Sequence, residues 1–130
     1  MVYEGGNSYE GGFRSGKKHG RGVFRYQNGD VYEGSFREDV KEDSNCTITK
    51  VNGTRYVGGI ANDLYNGRGR LEKASGEYYD GEFLNGQKHG RGTLKNDEFM
   101  YEGEFMNDLK HGAARVSYFN DEHKVFEGRF

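Results

Sequence analysis

Hydrophobic and polar residues recur along this chain with a period of about 23 residues. Each unit opens with an aromatic residue, has glycine two positions later and an apolar residue four positions later. The opening aromatics, called the anchors below, are Tyr9, Tyr32, Tyr56, Tyr79, Tyr101 and Phe126. The apolar residues are Phe13, Phe36, Ile60, Phe83, Phe105 and Phe130. A register kept over the whole chain indicates a repeat protein.

Each unit predicts a β-hairpin. Alternate residues of a strand share a face, so Tyr9, Gly11 and Phe13 point the same way. A turn-forming "SGKK" follows, and "HGRGVFRY", residues 19–26, predicts the returning strand. The pair Asn28-Gly29 is a typical turn before the next unit. Successive hairpins then form a continuous antiparallel meander.

Glycines in the predicted strands indicate close packing. Glycine lowers the stability of a strand, so its recurrence implies that another group approaches the backbone. We expect Gly11, Gly20 and Gly22 to leave bare backbone beneath the aromatic rings of the first hairpin.

The segment "YDGEFLNGQKHGRGTL", residues 79–94, resembles the MORN (membrane occupation and recognition nexus) repeat, which runs Y-x-G-x-F/W, a turn, then H-G-x-G. The resemblance extends over the chain as about five and a half units. It implies an all-β fold, a single-layer twisted antiparallel solenoid in the form of an elongated rod. We expect one array over 1–130, with a partial unit 1–8, units 9–31, 32–55, 56–78, 79–100 and 101–125, and a partial unit 126–130. The two half units suggest a fragment of a longer protein.

Two units depart from this pattern. In the second, Asp43 to Cys46 replaces H-G-x-G and overlaps the segment "REDVKEDSN", residues 37–45, which predicts a longer, acidic turn. In the fifth, Ala114 replaces the second glycine. We expect these side chains to crowd or displace the rings. Cys46 stands at a glycine position, which predicts a semi-buried thiol with a structural role, because no cationic sequence neighbour lowers its pKa.

Composition supports ordered β structure. Only 32% of residues are hydrophobic, 31% are charged, and mean hydropathy is −1.04, values that alone suggest disorder. However, 15% are aromatic, 22 are glycine and none is proline. The net charge of −2 predicts no nucleic-acid partner. One cysteine excludes an intramolecular disulfide, and the absence of a signal peptide or a long apolar run leads us to expect a cytoplasmic protein.

The sequence predicts a non-enzymatic protein without catalytic residues, cofactor or metal. It contains no G-x-S-x-G elbow, P-loop or dinucleotide-binding fingerprint. His19, His89 and His111 share one repeat position, but equivalent residues of adjacent hairpins lie about 10 Å apart, too far to share an ion. A zinc ion held between two chains is the alternative.

Three surfaces are candidate binding sites. The first is the aromatic face, unless curling of the sheet buries it: Tyr9, Phe13, Tyr32, Phe36, Tyr56, Tyr79, Phe83, Tyr101 and Phe105. The second is the C-terminal end, where an open edge strand can pair with another chain to form a homodimer: Tyr118, Phe119, Phe126 and Phe130. The third is a basic row at the hairpin turns, which could contact anionic lipids such as phosphoinositides or remain solvated: Lys17, Lys18, Arg21, Lys88, Arg91 and Lys110.

The resemblance implies a scaffold for protein–protein interaction and self-assembly in a cytoskeletal or membrane-apposed structure. Binding of anionic phospholipids is the first alternative, and a targeting module within a larger protein is the second.

Overall fold

A computed structural model describes residues 4–119 and 125–130 of the chain. After a 3-10 turn at Glu4–Gly6, twelve strands form one antiparallel sheet. The strands are β1 (Ser8–Arg14), β2 (Lys17–Arg25), β3 (Val31–Arg37), β4 (Val40–Lys41), β5 (Asp43–Thr49), β6 (Arg55–Ala61), β7 (Leu64–Glu72), β8 (Tyr78–Leu84), β9 (Gln87–Lys95), β10 (Phe99–Met106), β11 (Leu109–Tyr118) and β12 (Val125–Arg129). Each strand pairs with its sequence neighbours, except that β3 pairs with both β4 and β5. The predicted all-β meander is confirmed.

A two-residue turn closes each of the five hairpins. Both residues of each turn have positive φ, as a type I′ turn requires. The turns are Ser15–Gly16, Glu38–Asp39, Asn62–Asp63, Asn85–Gly86 and Asn107–Asp108. The backbone twist of these turns matches the twist of the flanking strands, so each hairpin continues the sheet without splaying.

The second hairpin has this same short turn, so the prediction of a longer turn there is wrong. Lys41 pairs with Phe36 just as Lys18 pairs with Phe13. The extra residue lies further on, where the register breaks between Asp43 and Cys46. The insertion therefore interrupts the returning strand, which is divided into β4 and β5, and leaves the turn unchanged.

A bulge in the returning strand explains the first glycine of H-G-x-G. In the first hairpin, one residue between Gly11 and Phe13 faces three residues between Lys18 and Gly22. Gly20 lies in the middle of the three with φ of 83°, and a Cβ built on it would meet open space. The prediction that Gly20 makes room for a ring is therefore wrong. Glycine is needed there because the bulge requires a left-handed backbone.

The second glycine of the motif does make room for a ring. A Cβ on Gly22 would lie 2.5 Å from the ring of Tyr9, and one on Gly92 would lie 2.4 Å from the hydroxyl of Tyr79. The five tyrosine anchors are at most 2% exposed. These rings lie on bare backbone, as the glycine pattern predicts.

Neighbouring hairpins share one continuous aromatic core. The ring of Tyr79 meets the edge of Phe83 at 5.0 Å and that of Phe105, in the next hairpin, at 5.1 Å between centroids. Tyr9 contacts Phe13 and Phe36 in the same way. Such edge-to-face contacts are favourable for aromatic rings and join one repeat to the next.

Cys46 and Ala114 do not displace the rings above them, contrary to the prediction. Tyr32 and Tyr101, the anchors of these two hairpins, are both fully buried. In other hairpins, two glycines face each other beneath the ring, as Gly81 and Gly92 do. Gly34 and Gly103 are retained opposite Cys46 and Ala114, so only one glycine of each pair is replaced. One small side chain is therefore compatible with the ring.

No helix in the described part of the chain is long and apolar enough to cross a membrane.

Candidate functional site

Each tyrosine anchor holds its ring in place with a hydrogen bond that sequence reasoning missed. The hydroxyl donates to the backbone carbonyl of the third residue after the anchor, at 2.6–2.8 Å. The acceptors are Gly12, Ser35, Gly59, Glu82 and Glu104. Burial raises the pKa of Tyr79 to about 12 and also raises those of Tyr32, Tyr56 and Tyr101. These four tyrosines therefore remain neutral donors, and in each hairpin the hydrogen bond ties the ring to the bulged backbone.

Most of the predicted aromatic face lies inside the core. Eight of its nine residues are buried, and only Phe13 is exposed, at 46%. The rings pack on glycine backbone and on one another. This arrangement agrees with the second of the two expectations, in which curling of the sheet buries the aromatic face. Binding of a partner protein by these rings stays a prediction. Another molecule can reach the side chains that surround the rings.

A column of lysines borders the buried rings. In each hairpin, the residue nine positions after the anchor pairs with the apolar residue four positions after the anchor. We call these five residues the lysine column: Lys18, Lys41, Tyr65, Lys88 and Lys110. Four are lysines, and the third hairpin has tyrosine instead.

The ammonium groups of the column lie over aromatic rings. Lys18 Nζ is 5.8 Å from the ring centroid of Tyr9, and Lys88 Nζ is 5.6 Å from that of Tyr79. Lys110 Nζ lies 4.7 Å from Phe99 and 5.5 Å from Tyr101. These lysines begin the returning strands and face the rings, so their predicted place in a row of turns is wrong. Cation–π attraction explains their orientation.

The cations of the column differ in their partners. Lys18 Nζ pairs with Asp39 at 3.3 Å, and Lys41 Nζ contacts the hydroxyl of Tyr26. Within residues 4–119 and 125–130, no ion pair joins Lys41, Lys88 or Lys110 to a carboxylate. These three ammonium groups are therefore able to bind an external anion.

The turn of each hairpin is hydrogen bonded to the preceding hairpin. The carboxylates of Asp39, Asp63 and Asp108 accept from the backbone N–H of Lys18, Lys41 and Lys88, at 2.7–2.9 Å. The backbone N–H of each aspartate donates in return to the carbonyl of the same lysine. This exchange fixes the backbone of the column, and the N–H of Lys18 holds the pKa of Asp39 below its usual range.

The column is interrupted at a cleft of about 420 Å³. Tyr65 lines it and stacks on Tyr56, with centroids 4.0 Å apart and an angle of 13° between the rings. Gly86, which stands where three other turns have aspartate, also lines the cleft. The remaining lining residues are Tyr26, Asp30, Tyr32, Lys41, Ile48, Lys50, Ile60, Asp63 and Leu64.

The two carboxylates of the cleft already bind backbone groups. Asp30 accepts from the N–H of Val51 and Asp63 from that of Lys41, both at 2.9 Å. Besides these carboxylates, the cleft is lined by aliphatic and aromatic side chains and by Lys41 and Lys50.

The six residues predicted to bind lipid do not share one surface. Lys18, Lys88 and Lys110 face the rings, whereas Arg21 and Arg91 alternate to the opposite face, where both are exposed. Arg21 pairs there with Asp43 at 3.3 Å. Other cross-strand pairs on the sheet surface are Arg25–Glu10, Arg68–Asp80 and Arg115–Glu127, each at 3.8 Å. Pairs this exposed contribute little to stability.

The C-terminal end exposes the predicted self-association residues. Tyr118, Phe119, Phe126 and Phe130 are 39–50% exposed. Strand β12 pairs with β11 and, within the described chain, with no second strand. In the described chain, this end therefore combines a strand that has one partner with exposed aromatic rings.

Cys46 has a packing role, and His19 has a hydrogen-bonding role. Cys46 is fully buried, more so than predicted, and burial raises the pKa of its thiol to about 11. His19 Nδ1 accepts a hydrogen bond from the N–H of Glu38 at 3.3 Å. The described residues contain no group of three or more potential metal ligands.

Comparison with known proteins identifies the repeat. The family model of the MORN repeat matches residues 9–31, 56–78, 79–96 and 101–120, which together make up more than half of the chain. The hairpin that contains the inserted residue and Cys46 lies outside these matches. No curated protein sequence matches the chain significantly.

Proposed function

Because this chain belongs to the MORN-repeat family, we propose that it is a non-enzymatic scaffold for protein–protein interaction and self-assembly, acting in a cytoskeletal or membrane-apposed structure of the cytoplasm. The observation that carries this proposal is the C-terminal end. An unpaired strand edge offers backbone donors and acceptors to a second strand, and the exposed rings beside it add apolar area. The partner at this end is a second copy of the chain, which forms a homodimer.

The titrating groups support a role without catalysis. The raised pKa values belong to buried tyrosines and to the buried thiol of Cys46. The lowered ones belong to aspartates that accept backbone N–H groups, such as Asp30 and Asp39. Both kinds of shift follow from packing and turn formation.

Replacing Phe126 and Phe130 with lysine is expected to convert the dimer into a monomer of 14.8 kDa. The introduced charges repel each other across the interface and remove its apolar contacts. Absolute mass by light scattering coupled to size exclusion, over a range of concentrations under reducing conditions, measures the change. Val51→Lys, at an apolar residue 70% exposed outside this end, is the matched control and should leave the dimer intact.

Circular dichroism of the double variant shows whether the sheet is retained, because Phe130 also contacts Tyr101 at 5.3 Å between centroids. A dimeric mass for the folded double variant, or a monomeric mass for the unmodified chain, contradicts end-to-end assembly.

Lipid binding is the second proposal, supported by Lys17, which is exposed next to the first turn, and by Arg21 and Arg91 on the opposite face. If anionic lipid is the ligand, sedimentation with phosphoinositide vesicles should decrease as salt rises, because screening weakens surface attraction. Replacing Lys17, Arg21 and Arg91 with glutamine should lower it further. Neutral vesicles are the control, and sedimentation that depends on neither salt nor these residues contradicts the proposal. A role as a targeting module within a larger protein is compatible with either surface.

A further inference from the structure

The lysine column presents positive charge at regular intervals. Each hairpin contributes two strands about 4.8 Å apart, so consecutive members of the column lie about 10 Å apart along the sheet. In order, the members able to contact another molecule are Lys41, the ring of Tyr65 with its cleft, Lys88 and Lys110. The face therefore presents a cation, an apolar cleft and two further cations at nearly equal spacing.

We propose that the lysine column binds an acidic α-helix of a partner protein, which lies across the strands, places carboxylates over Lys41, Lys88 and Lys110, and inserts one bulky apolar side chain into the cleft at Tyr65. This inference rests on the proposed scaffold function and specifies the chemistry of the partner.

A helix fits the column because of its period. Seven residues of an α-helix advance about 10.5 Å and return to nearly the same face, which matches the spacing of about 10 Å between hairpins. A side chain at every seventh position thus meets the same position of each successive hairpin.

The position of the column also favours a helix over an extended peptide. Lys88 and Lys110 lie in β9 and β11, which pair with strands on both sides, and the backbone N–H and C=O of Lys41 bond to Asp63. A peptide that crosses the sheet therefore does not extend it as an added strand. A helix satisfies its own N–H and C=O groups, whereas an extended peptide would leave them without protein partners.

Charge complementarity selects an acidic helix. The ammonium groups of Lys88 and Lys110 are held against rings and form no ion pair with a carboxylate in the described chain. Partial removal from water strengthens their attraction to an added carboxylate. The rings also fix the lysine side chains before binding, so less conformational freedom is lost in the complex.

Tyr65, which replaces lysine in the column, favours an apolar side chain at the matching position of the bound helix. At Tyr65 a carboxylate would find a stacked ring in place of an ammonium group, with Ile48, Ile60 and Leu64 around it. A cleft of about 420 Å³ with this lining accepts a phenylalanine or leucine side chain. The order cation, apolar cleft, cation, cation also gives the bound helix a direction.

The test uses the full chain and a labelled synthetic peptide of about four heptads, built from alanine and glutamine. One glutamate, one phenylalanine and two further glutamates follow each other at seven-residue spacing. Fluorescence anisotropy measures its affinity. We expect saturable binding that weakens with salt, and at least tenfold weaker binding when the same four residues are moved to five-residue spacing, or when a proline breaks the helix.

Variants of the chain locate the site. Lys88→Gln is expected to weaken binding about tenfold, and Lys110→Gln similarly, because each removes a charge pair. Lys17→Gln, at the exposed lysine next to the column, is the matched control and should leave affinity unchanged. Tyr65→Lys restores a lysine at the break, so it should lower affinity for the phenylalanine peptide and raise it for a peptide with glutamate at that position.

The proposal is overturned if affinity is the same at seven-residue and five-residue spacing, or if neither lysine variant weakens binding. It is also overturned if Tyr65→Lys leaves the preference for phenylalanine unchanged. Light scattering on the same samples separates this result from the scaffold proposal. A dimer that does not bind the peptide overturns the role of the column alone, whereas a monomer that binds it overturns end-to-end assembly alone.

Discussion

Replacing Tyr79 with alanine is expected to lower the free energy of unfolding by about 3–5 kcal/mol, the range for removing a large buried aromatic side chain. The ring is 2% exposed, lies over Gly81 and Gly92, and contacts Phe83 and Phe105. Its removal leaves a cavity in the middle of the core that the bare glycine backbone cannot fill. Urea denaturation followed by circular dichroism measures the loss.

The matched control is Tyr79→Phe, which keeps the ring and removes only the hydroxyl. Its expected cost is about 1 kcal/mol, the net contribution of one hydrogen bond, here to the carbonyl of Glu82. Equal losses in the two variants would contradict this account, because they would assign the whole contribution of Tyr79 to its hydrogen bond.

Replacing Gly92 with valine is expected to cost about 3 kcal/mol, because a branched side chain would occupy the space of the Tyr79 ring. A Cβ at this position already approaches the hydroxyl at 2.4 Å and the ring at 2.5 Å. Gly92→Ala should cost less, since Ala114 stands at the equivalent position of the fifth hairpin beneath a fully buried Tyr101.

A double variant tests whether the ring is the cause. If the cost of Gly92→Val comes from collision with Tyr79, the same substitution should cost much less in the Tyr79→Ala background, and the two effects should not add. Additive losses in the denaturation experiment would show that valine disturbs the strand itself and not the ring above it.

The aromatic period made much of this fold predictable. The spacing of Tyr9, Gly11 and Phe13 gives the strand face directly, because side chains alternate with a period of two. The glycine two positions after each anchor indicates a ring above it, and the structure confirms this at Gly11 and Gly81. These features depend on neighbours close in sequence, and for that reason sequence alone is sufficient to find them.

The features that sequence reasoning missed depend on the register between strands. The bulge that gives Gly20 its positive φ exists only when β1 and β2 pair, and the hydrogen bond from Tyr9 to Gly12 lies beside that bulge. The lysines were predicted to lie in turns because they follow turn residues in sequence. In four hairpins a lysine lies nine residues after the anchor. This constant spacing was the signal that could have predicted that the lysines share one face of the sheet.

The hydrogen bonds between each turn and the preceding hairpin have a consequence for how such an array can grow. The acceptor side chain, as in Asp39 or Asp108, belongs to the later hairpin, whereas the earlier one contributes a backbone N–H and C=O. Every residue except proline has both groups, and this chain contains no proline. A hairpin duplicated at the C-terminal side thus brings its own attachment and requires no compensating change in the hairpin before it. The array is modular in one direction, which allows its length to vary independently of the sequence already in place.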